Sequence, residues 1–207
     1  MRRERAIRGA IRQVIEEQRA SAKPLAIILA GHNGSGKSTL WYSHLADEGS
    51  RSVCGASNGH KVPFAMETVF SYWQEAADGT VLSKLDLIRE LQHQGYFVLL
   101  IFVGLTSSNL SIGRVQTRRA KGGHDVAVGK LRERFPRTQM AIRNALPVVD
   151  AAVLMDNSRG VRSAFSLCVV QTGSKVLFDI RDASAKVPGA ISAWLESVSP
   201  RISPSSP

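Results

Sequence analysis

The sequence predicts an α/β fold: a mostly parallel sheet flanked by helices, with a C-terminal β-hairpin and a short last helix. Three observations predict it. The runs 25–30 and 96–105 are nearly all apolar, as strands buried on both faces are. Segments with helical spacing separate such runs, the strand–helix–strand order that builds a parallel sheet. Directly after the first run comes Gly-His-Asn-Gly-Ser-Gly-Lys-Ser-Thr, residues 31–39, which fits G-x-x-x-x-G-K-[ST].

That nonapeptide is a P-loop in its expected context, a strand before it and a helix after it. Gly31, Gly34 and Gly36 let backbone N–H groups turn inward around phosphate oxygens, where a Cβ would obstruct them. The helix N-terminus adds free N–H groups and its positive dipole end. Lys37 is expected to reach the β- and γ-phosphates of ATP, and Ser38 to give its hydroxyl to Mg²⁺. His32, Asn33, Ser35 and Thr39 complete the cradle. The implied architecture is a P-loop NTPase fold.

A length of 207 residues with 43% apolar content suffices for one domain with a proper core. The organisation expected is an N-terminal helix in residues 1–24, a kinase-like domain in 25–198 and a disordered tail in 199–207. A net charge of +10 favours anionic partners without choosing among them. The basic residues are spread along the chain, so nucleic acid is the less favoured partner. Two cysteines without metal spacing fit a reducing cytoplasm. Arg8 and Arg12 interrupt any apolar leader after Arg2-Arg3, and the run 97–105 is too short to span a bilayer as a helix.

Taken in order, residues 3–20 form a helix with Ile7, Ala10, Ile11, Val14 and Ile15 as its apolar stripe, ended by Pro24. The helix after the P-loop covers 39–46. Residues 50–62 read as a loop, with a short strand at 52–54 at most. Residues 63–69 form a second core strand. Asp78-Gly79-Thr80 is a turn, and 81–94 a helix with Leu82, Leu85, Ile88 and Leu91 inward, closed by Gly95. A basic helix spans 108–121. Helices over 128–134 and 137–146 are separated by Pro136. A buried strand covers 148–155. Strands 165–171 and 175–181 flank Thr172-Gly173-Ser174 as a hairpin, and 189–198 is the last helix, with Ile191, Trp194 and Leu195.

Ligands of such sheets bind beyond the carboxyl ends of the strands. That rule gathers the P-loop, Glu67-Thr68, the 104–107 turn and Asp156-Asn157. Glu67 ends an apolar strand, where a carboxylate is costly unless paired; it is expected to hold a Mg²⁺-bound water or to grip the acceptor. Arg114 and Arg118 lie four apart on one helix and face the same way, either toward a transferring phosphoryl group or as a solvated basic face. Gly122-Gly123-His124-Asp125 breaks that helix, and Asp125 is also placed to cap the next one.

The series GHNGSGKSTL, FAMET, GYFVLLIFVGL, SIGRVQTRRAKGGHDV, RFPR and DNS, in that order over residues 25–158, resembles the zeta toxin family of bacterial P-loop kinases. The resemblance implies a P-loop kinase core and ATP–Mg²⁺-dependent phosphorylation of UDP-N-acetylglucosamine on a sugar hydroxyl. It implies that Lys37 holds phosphates, Ser38 the Mg²⁺, Glu67 the acceptor side, and Arg114 and Arg118 the phosphoryl group. His124 and Asp125 match the family's Gly-Gly-His-Asp turn. It also implies an antitoxin partner covering the nucleotide site. The family's Asn-x-Asp segment, whose aspartate is taken as the base, has no match here: 25 residues separate Ser38 from Phe64 and none reads Asn-x-Asp. Ala46-Asp47-Glu48 is the nearest stretch. Two other readings therefore stand beside a small-molecule kinase: an ATP-binding module impaired by loss of the base segment, and a nucleic-acid-directed P-loop protein.

Overall fold

The computed structural model describes residues 2–45, 62–75, 77–79, 81–183 and 186–201. Helix α1 (Arg2–Ala20) precedes strand β1 (Leu25–Gly31), and the P-loop leads into α2 (Lys37–Leu40), which continues as a π-helical turn, Trp41–Leu45. After β2 (Phe64–Thr68) comes a small antiparallel pair, β3 (Trp73–Glu75) and β4 (Val81–Ser83), then α3 (Leu85–His93) and β5 (Phe97–Gly104). Helices α4 (Ser108–Ala120) and α5 (Val128–Ala145) lead to β6 (Ala151–Asp156). The hairpin β7 (Ser166–Thr172) and β8 (Lys175–Asp179) follows, and α6 (Gly189–Val198) closes the chain. Among the described residues the main sheet has six strands in the order β2-β1-β5-β6-β7-β8, the first four parallel and the last two joined antiparallel. This is the mostly parallel sheet with a C-terminal hairpin that the sequence predicts.

The central strands bury both faces because they lack polar residues on either. Val98, Leu100 and Phe102 of β5 join Ile88, Ile142 and Leu195 on the side of α3, α5 and α6. Phe97, Ile101 and Val103 join Val14 and Leu40 on the side of α1 and α2. Val14 is the member of the expected α1 stripe that is buried; Ile15 is 44% exposed, and Ile7, Ala10 and Ile11 lie outside the described side chains.

Several boundaries differ from the sequence reading. Residues 63–69 were expected in the core, but among the described residues β2 pairs in the main sheet with β1 alone and is mostly half-buried. The helix expected over 81–94 begins only at Leu85. Ser83 Oγ accepts the Leu85 N–H at 3.2 Å while the Asp86 carboxylate accepts the Ser83 N–H at 3.3 Å, a reciprocal cap that stops the helix there. Leu82 consequently lies on a strand and is half exposed, whereas Leu85, Ile88 and Leu91 are buried as expected. Pro136 does not divide a helix: α5 runs through it. Pro136 and Arg132, the residue whose carbonyl loses its donor, are both exposed residues, while Leu131, Thr138 and Ile142 bury the opposite face. Val148 and Val149 turn back on Ala145 O, at 2.9 and 3.1 Å, and β6 starts only at Ala151.

The start of the expected tail is packed. Arg181 joins Asp179 and Glu196, each at 2.6 Å, and donates to Ser199 O at 2.9 Å; Arg201 pairs with Asp182. Residues 202–207, and the loop expected over 50–62 with its strand at 52–54, lie outside the described residues except Val62.

Gly104 ends β5 because Trp194 of α6 occupies the space a side chain would take: a Cβ there would stand 2.0 Å from Trp194 Cζ2. Gly104→Ala is expected to destabilise the fold by about 3 kcal/mol, the upper end for overpacking a filled core, read as a lower urea midpoint at unchanged slope. A midpoint equal to the parent's would contradict this packing.

Candidate nucleotide-binding site

Parallel pairing brings the carboxyl ends of β2, β1, β5 and β6 side by side, so the four expected places lie along one edge. The P-loop stands between the ends of β2 and β5, and its glycines are required there. A Cβ on Gly31 would meet Val103 O at 2.4 Å, and one on Gly36 would meet Asn157 Nδ2 at 2.7 Å. Gly34 and Gly36 have φ of 71° and 92°, the left-handed region that glycine enters without strain.

Side chains from distant elements brace the loop. Ser111 Oγ donates to Asn33 O at 2.7 Å, and Asn157 Nδ2 donates to Ser35 O at 2.8 Å. Arg114 donates to Asn157 O at 2.6 Å and to Gly34 O at 3.4 Å. Asn157 N–H is held in turn by Gly104 O at 3.0 Å. His32 packs inward: its Nδ1 accepts the Leu105 N–H at 3.3 Å and its ring stacks on Phe135 at 4.1 Å. Burial, with the charge of Lys37 behind it, lowers the His32 pKa to about 3 against a weaker opposing pull from the Phe135 backbone. The imidazole is therefore neutral at physiological pH and joins loop to α5; the part of His32 left for a phosphate is its backbone.

The reactive centre is compact. Lys37 Nζ, 6% exposed as a residue, donates to Gly31 O at 3.0 Å and His32 O at 3.1 Å, and stands 3.8 Å from Glu67 Oε1. Ser38 Oγ donates to Glu67 Oε2 at 2.8 Å. One carboxylate thus meets both the ammonium and the hydroxyl of the P-loop. Burial lowers the Lys37 pKa to about 8; Glu67 resists that and the charge of Arg118 reinforces it.

Arg114 and Arg118 share a helix but divide the work. Arg114 braces the loop from the Asn157 side, while Arg118 lies close enough to Lys37 to act on its charge. The glycine pair after α4 explains how Arg118 is held. Gly122, at φ 82°, and Gly123 send their N–H groups back to Arg119 O and Arg118 O at 2.9 and 3.0 Å, a Schellman closure. A Cβ on Gly123 would stand 2.6 Å from Arg118 Cγ. The Arg118 side chain lies over the turn and donates to His124 O at 3.0 Å. His124 itself is exposed, and Asp125 pairs with Arg119 at 3.0 Å, so this turn serves the site through its backbone. Asp156 is fully buried and holds its own turn, through Ser158 N–H at 2.9 Å and Arg159 Nε at 3.3 Å; Asn157 is the residue there that reaches the P-loop.

Alongside the loop lies a cavity of about 830 Å³, lined on the loop side by Gly34, Gly36 and Thr39 and on the far side by Asn157, Arg159 and Phe165. Its volume suits a nucleoside. The residues fit Mg²⁺ as well: this ion keeps most of its waters and takes one or two protein oxygens beside the phosphates, and Ser38 could give its hydroxyl while Glu67, 2.8 Å from it, could take a Mg²⁺-bound water. Among the described residues no group of three or more His, Cys, Asp or Glu is placed to hold a metal by itself. Ala46-Asp47-Glu48 lies outside the described residues.

No family model and no curated protein matches the chain by sequence. Solved structures do match it in shape. A chain of the AvrRxo1-ORF1:AvrRxo1-ORF2 complex with sulphate ions superposes with a TM-score of 0.55 at 11% identity, over 97% of this chain and 75% of that one. The same complex with ATP gives 0.55 and 11%, over 98% and 75%. The two share a fold. A chain of the PezAT toxin–antitoxin system of Streptococcus pneumoniae gives 0.41 at 11% identity, over 94% and 88%, and adds nothing to the first two. No helix among the described residues is long and apolar enough to cross a membrane.

A buried lysine with a pKa of about 8 has a consequence for binding. A phosphate beside it favours the ammonium, raising the pKa, so ATP binding takes up protons near and above pH 8 and weakens as pH rises through 8. Calorimetric titration with ATP–Mg²⁺ at pH 8.5, in two buffers of different ionisation enthalpy, is expected to show this uptake, and Lys37→Met to abolish it. Equal uptake in parent and variant would place the proton elsewhere.

Proposed function

We propose that this protein is an ATP-dependent kinase of the zeta toxin type, which transfers the γ-phosphoryl group of ATP to a hydroxyl of a sugar nucleotide such as UDP-N-acetylglucosamine. The observation that carries this reading is the convergence of Lys37 and Ser38 on Glu67, at 3.8 and 2.8 Å, at the mouth of a glycine cradle. A nucleotide-binding loop needs the lysine and the hydroxyl; a strand-end carboxylate on both is what a phosphoryl-transfer site adds. The shared fold with a complex crystallised with ATP supports nucleotide binding, and the resemblance in sequence motifs supports the acceptor class.

In this reading Lys37 leaves the carbonyls of Gly31 and His32 for the β- and γ-phosphates. Ser38 would hold Mg²⁺ and Glu67 would take one of its waters. Bound Mg²⁺ neutralises charge on the phosphate oxygens. Arg118 lies over its glycine turn on the γ-phosphate side, while Arg114 closes the cradle. The acceptor hydroxyl attacks phosphorus in line as the bond to ADP breaks, and its proton leaves to solvent water. The fold neighbour is a two-protein complex, and a protein partner that covers the site, an antitoxin, belongs to the proposal together with action in the cytoplasm.

The test is ADP release from ATP–Mg²⁺ with and without UDP-N-acetylglucosamine. Sugar-dependent release is expected, reduced at least about 10³-fold by Lys37→Ala with the thermal melt retained. Saturable ATP binding without sugar-dependent release would instead support the impaired ATP-binding module, the reading favoured by the missing Asn-x-Asp segment. A second variant separates the roles of the carboxylate. Glu67→Gln keeps the shape but removes the charge, and is expected to lower turnover about 100-fold while shifting the Mg²⁺ requirement to higher concentration. An unchanged Mg²⁺ requirement would detach Glu67 from the metal.

A further inference from the structure

His32, the second residue of the P-loop, is 2% exposed, and its ring is fixed from three sides. Nδ1 accepts the N–H of Leu105, just past the end of β5, at 3.3 Å. The ring lies nearly parallel to that of Phe135 on α5, 16° apart at 4.1 Å, and is tilted against Phe102 of β5 at 5.6 Å. Phe102 in turn stacks on Trp194 of α6 at 6.0 Å. Four rings, Trp194, Phe102, His32 and Phe135, thus run from α6 across β5 and the P-loop to α5.

A polar ring in this place carries a cost. With Nδ1 accepting and the ring neutral, its one proton sits on Nε2, which is buried and has no hydrogen-bond partner among the described residues. A phenyl ring would fill the same space without burying that donor. What the imidazole adds is an acceptor for the N–H of Leu105, itself fully buried. The backbone of the same residue faces the reactive centre. His32 O accepts the Ser35 N–H at 3.1 Å and Lys37 Nζ at 3.1 Å. One residue therefore has its side chain locked into the core and its carbonyl under the lysine of the cradle.

We propose that His32 is a positioning residue for Lys37: its imidazole, held between the Leu105 N–H and the Phe135 ring, fixes the peptide whose carbonyl Lys37 rests on, and so keeps the ammonium within reach of the β- and γ-phosphates of ATP. This rests on the nucleotide-binding part of the kinase reading and deepens it. His32 exchanges no proton and touches no reacting atom; it acts through Lys37. The polyphosphate thus meets a lysine set in advance rather than one that must be ordered on binding, and the ordering cost saved appears as affinity.

The test is a double-variant cycle on the full chain, read as ATP–Mg²⁺ affinity by calorimetry at neutral pH. His32→Phe keeps the ring and removes the acceptor, leaving the Leu105 N–H unpaired, and is expected to weaken binding about tenfold. In the Lys37→Met background the same change is expected to weaken binding less than about twofold, because the group it acts through is gone. His32→Asn keeps an acceptor near the Nδ1 position and loses the stack; it repeats the cycle should His32→Phe fail to melt cooperatively. Equal weakening in both backgrounds would make His32 a structural residue of the loop and overturn the proposal, as would an unchanged affinity when Lys37 is present. Sugar-dependent ADP release by the parent keeps the two readings apart. A non-additive cycle without such release would overturn the kinase reading and leave the positioning role; an additive cycle with release intact would do the reverse.

Discussion

Gly31 leaves no room for a side chain. Its position, pressed against Val103 O where β1 and β5 end together, fixes where the phosphate cradle begins. Everything else at this edge is arranged around that close approach. The loop must turn through left-handed conformations at Gly34 and Gly36, and it is steadied by its own His32 and by residues of helix α4 and the end of β6. Asn157, Ser111 and Arg114 donate to its carbonyls at Ser35, Asn33 and Gly34.

The electrostatics follow from the same crowding. Lys37 is buried among backbone carbonyls with a single carboxylate near by and a second cation, Arg118, acting on it. Its ammonium is therefore underpaired in the resting chain, a state that a polyphosphate relieves. A second cavity, past the end of β2 and lined in part by Lys84, Arg134 and Arg137, repeats this on a smaller scale, with no acid among its lining residues. A chain carrying +10 distributes that excess where strand ends and helix α5 bring it together.

Much of the fold was legible before the structure. The runs that became β1 and β5, the hairpin around Gly173, and helices α1, α4 and α6 all follow from periodicity and turn residues, since each is decided within a few residues of itself. The errors share a cause. Helix spacing continued back to Leu82, but a cap between Ser83 and Asp86 stopped the helix at Leu85; the Ser-x-x-Asp pattern was present as a signal. Proline alone predicted a break in α5, but Pro136 lies on its exposed face and the buried face holds the helix together. Nothing local distinguishes a half-buried strand of this composition from a fully buried one, so β2 was placed too deep.

By itself the sequence determined the cradle: Gly31, Gly34, Gly36, Lys37 and Ser38 are adjacent, and their chemistry depends on that adjacency. It determined that Glu67 ends a strand. Only the tertiary structure decided that Glu67 meets Ser38, that Asn157 reaches Ser35, that His32 faces the core, and that Arg114 rather than Arg118 donates to the P-loop. These contacts join residues 29, 122 and 73 positions apart for Ser38–Glu67, Ser35–Asn157 and His32–Leu105. Pairings at such separations depend on which strands lie side by side, and that order is set by how whole elements pack rather than by any local pattern.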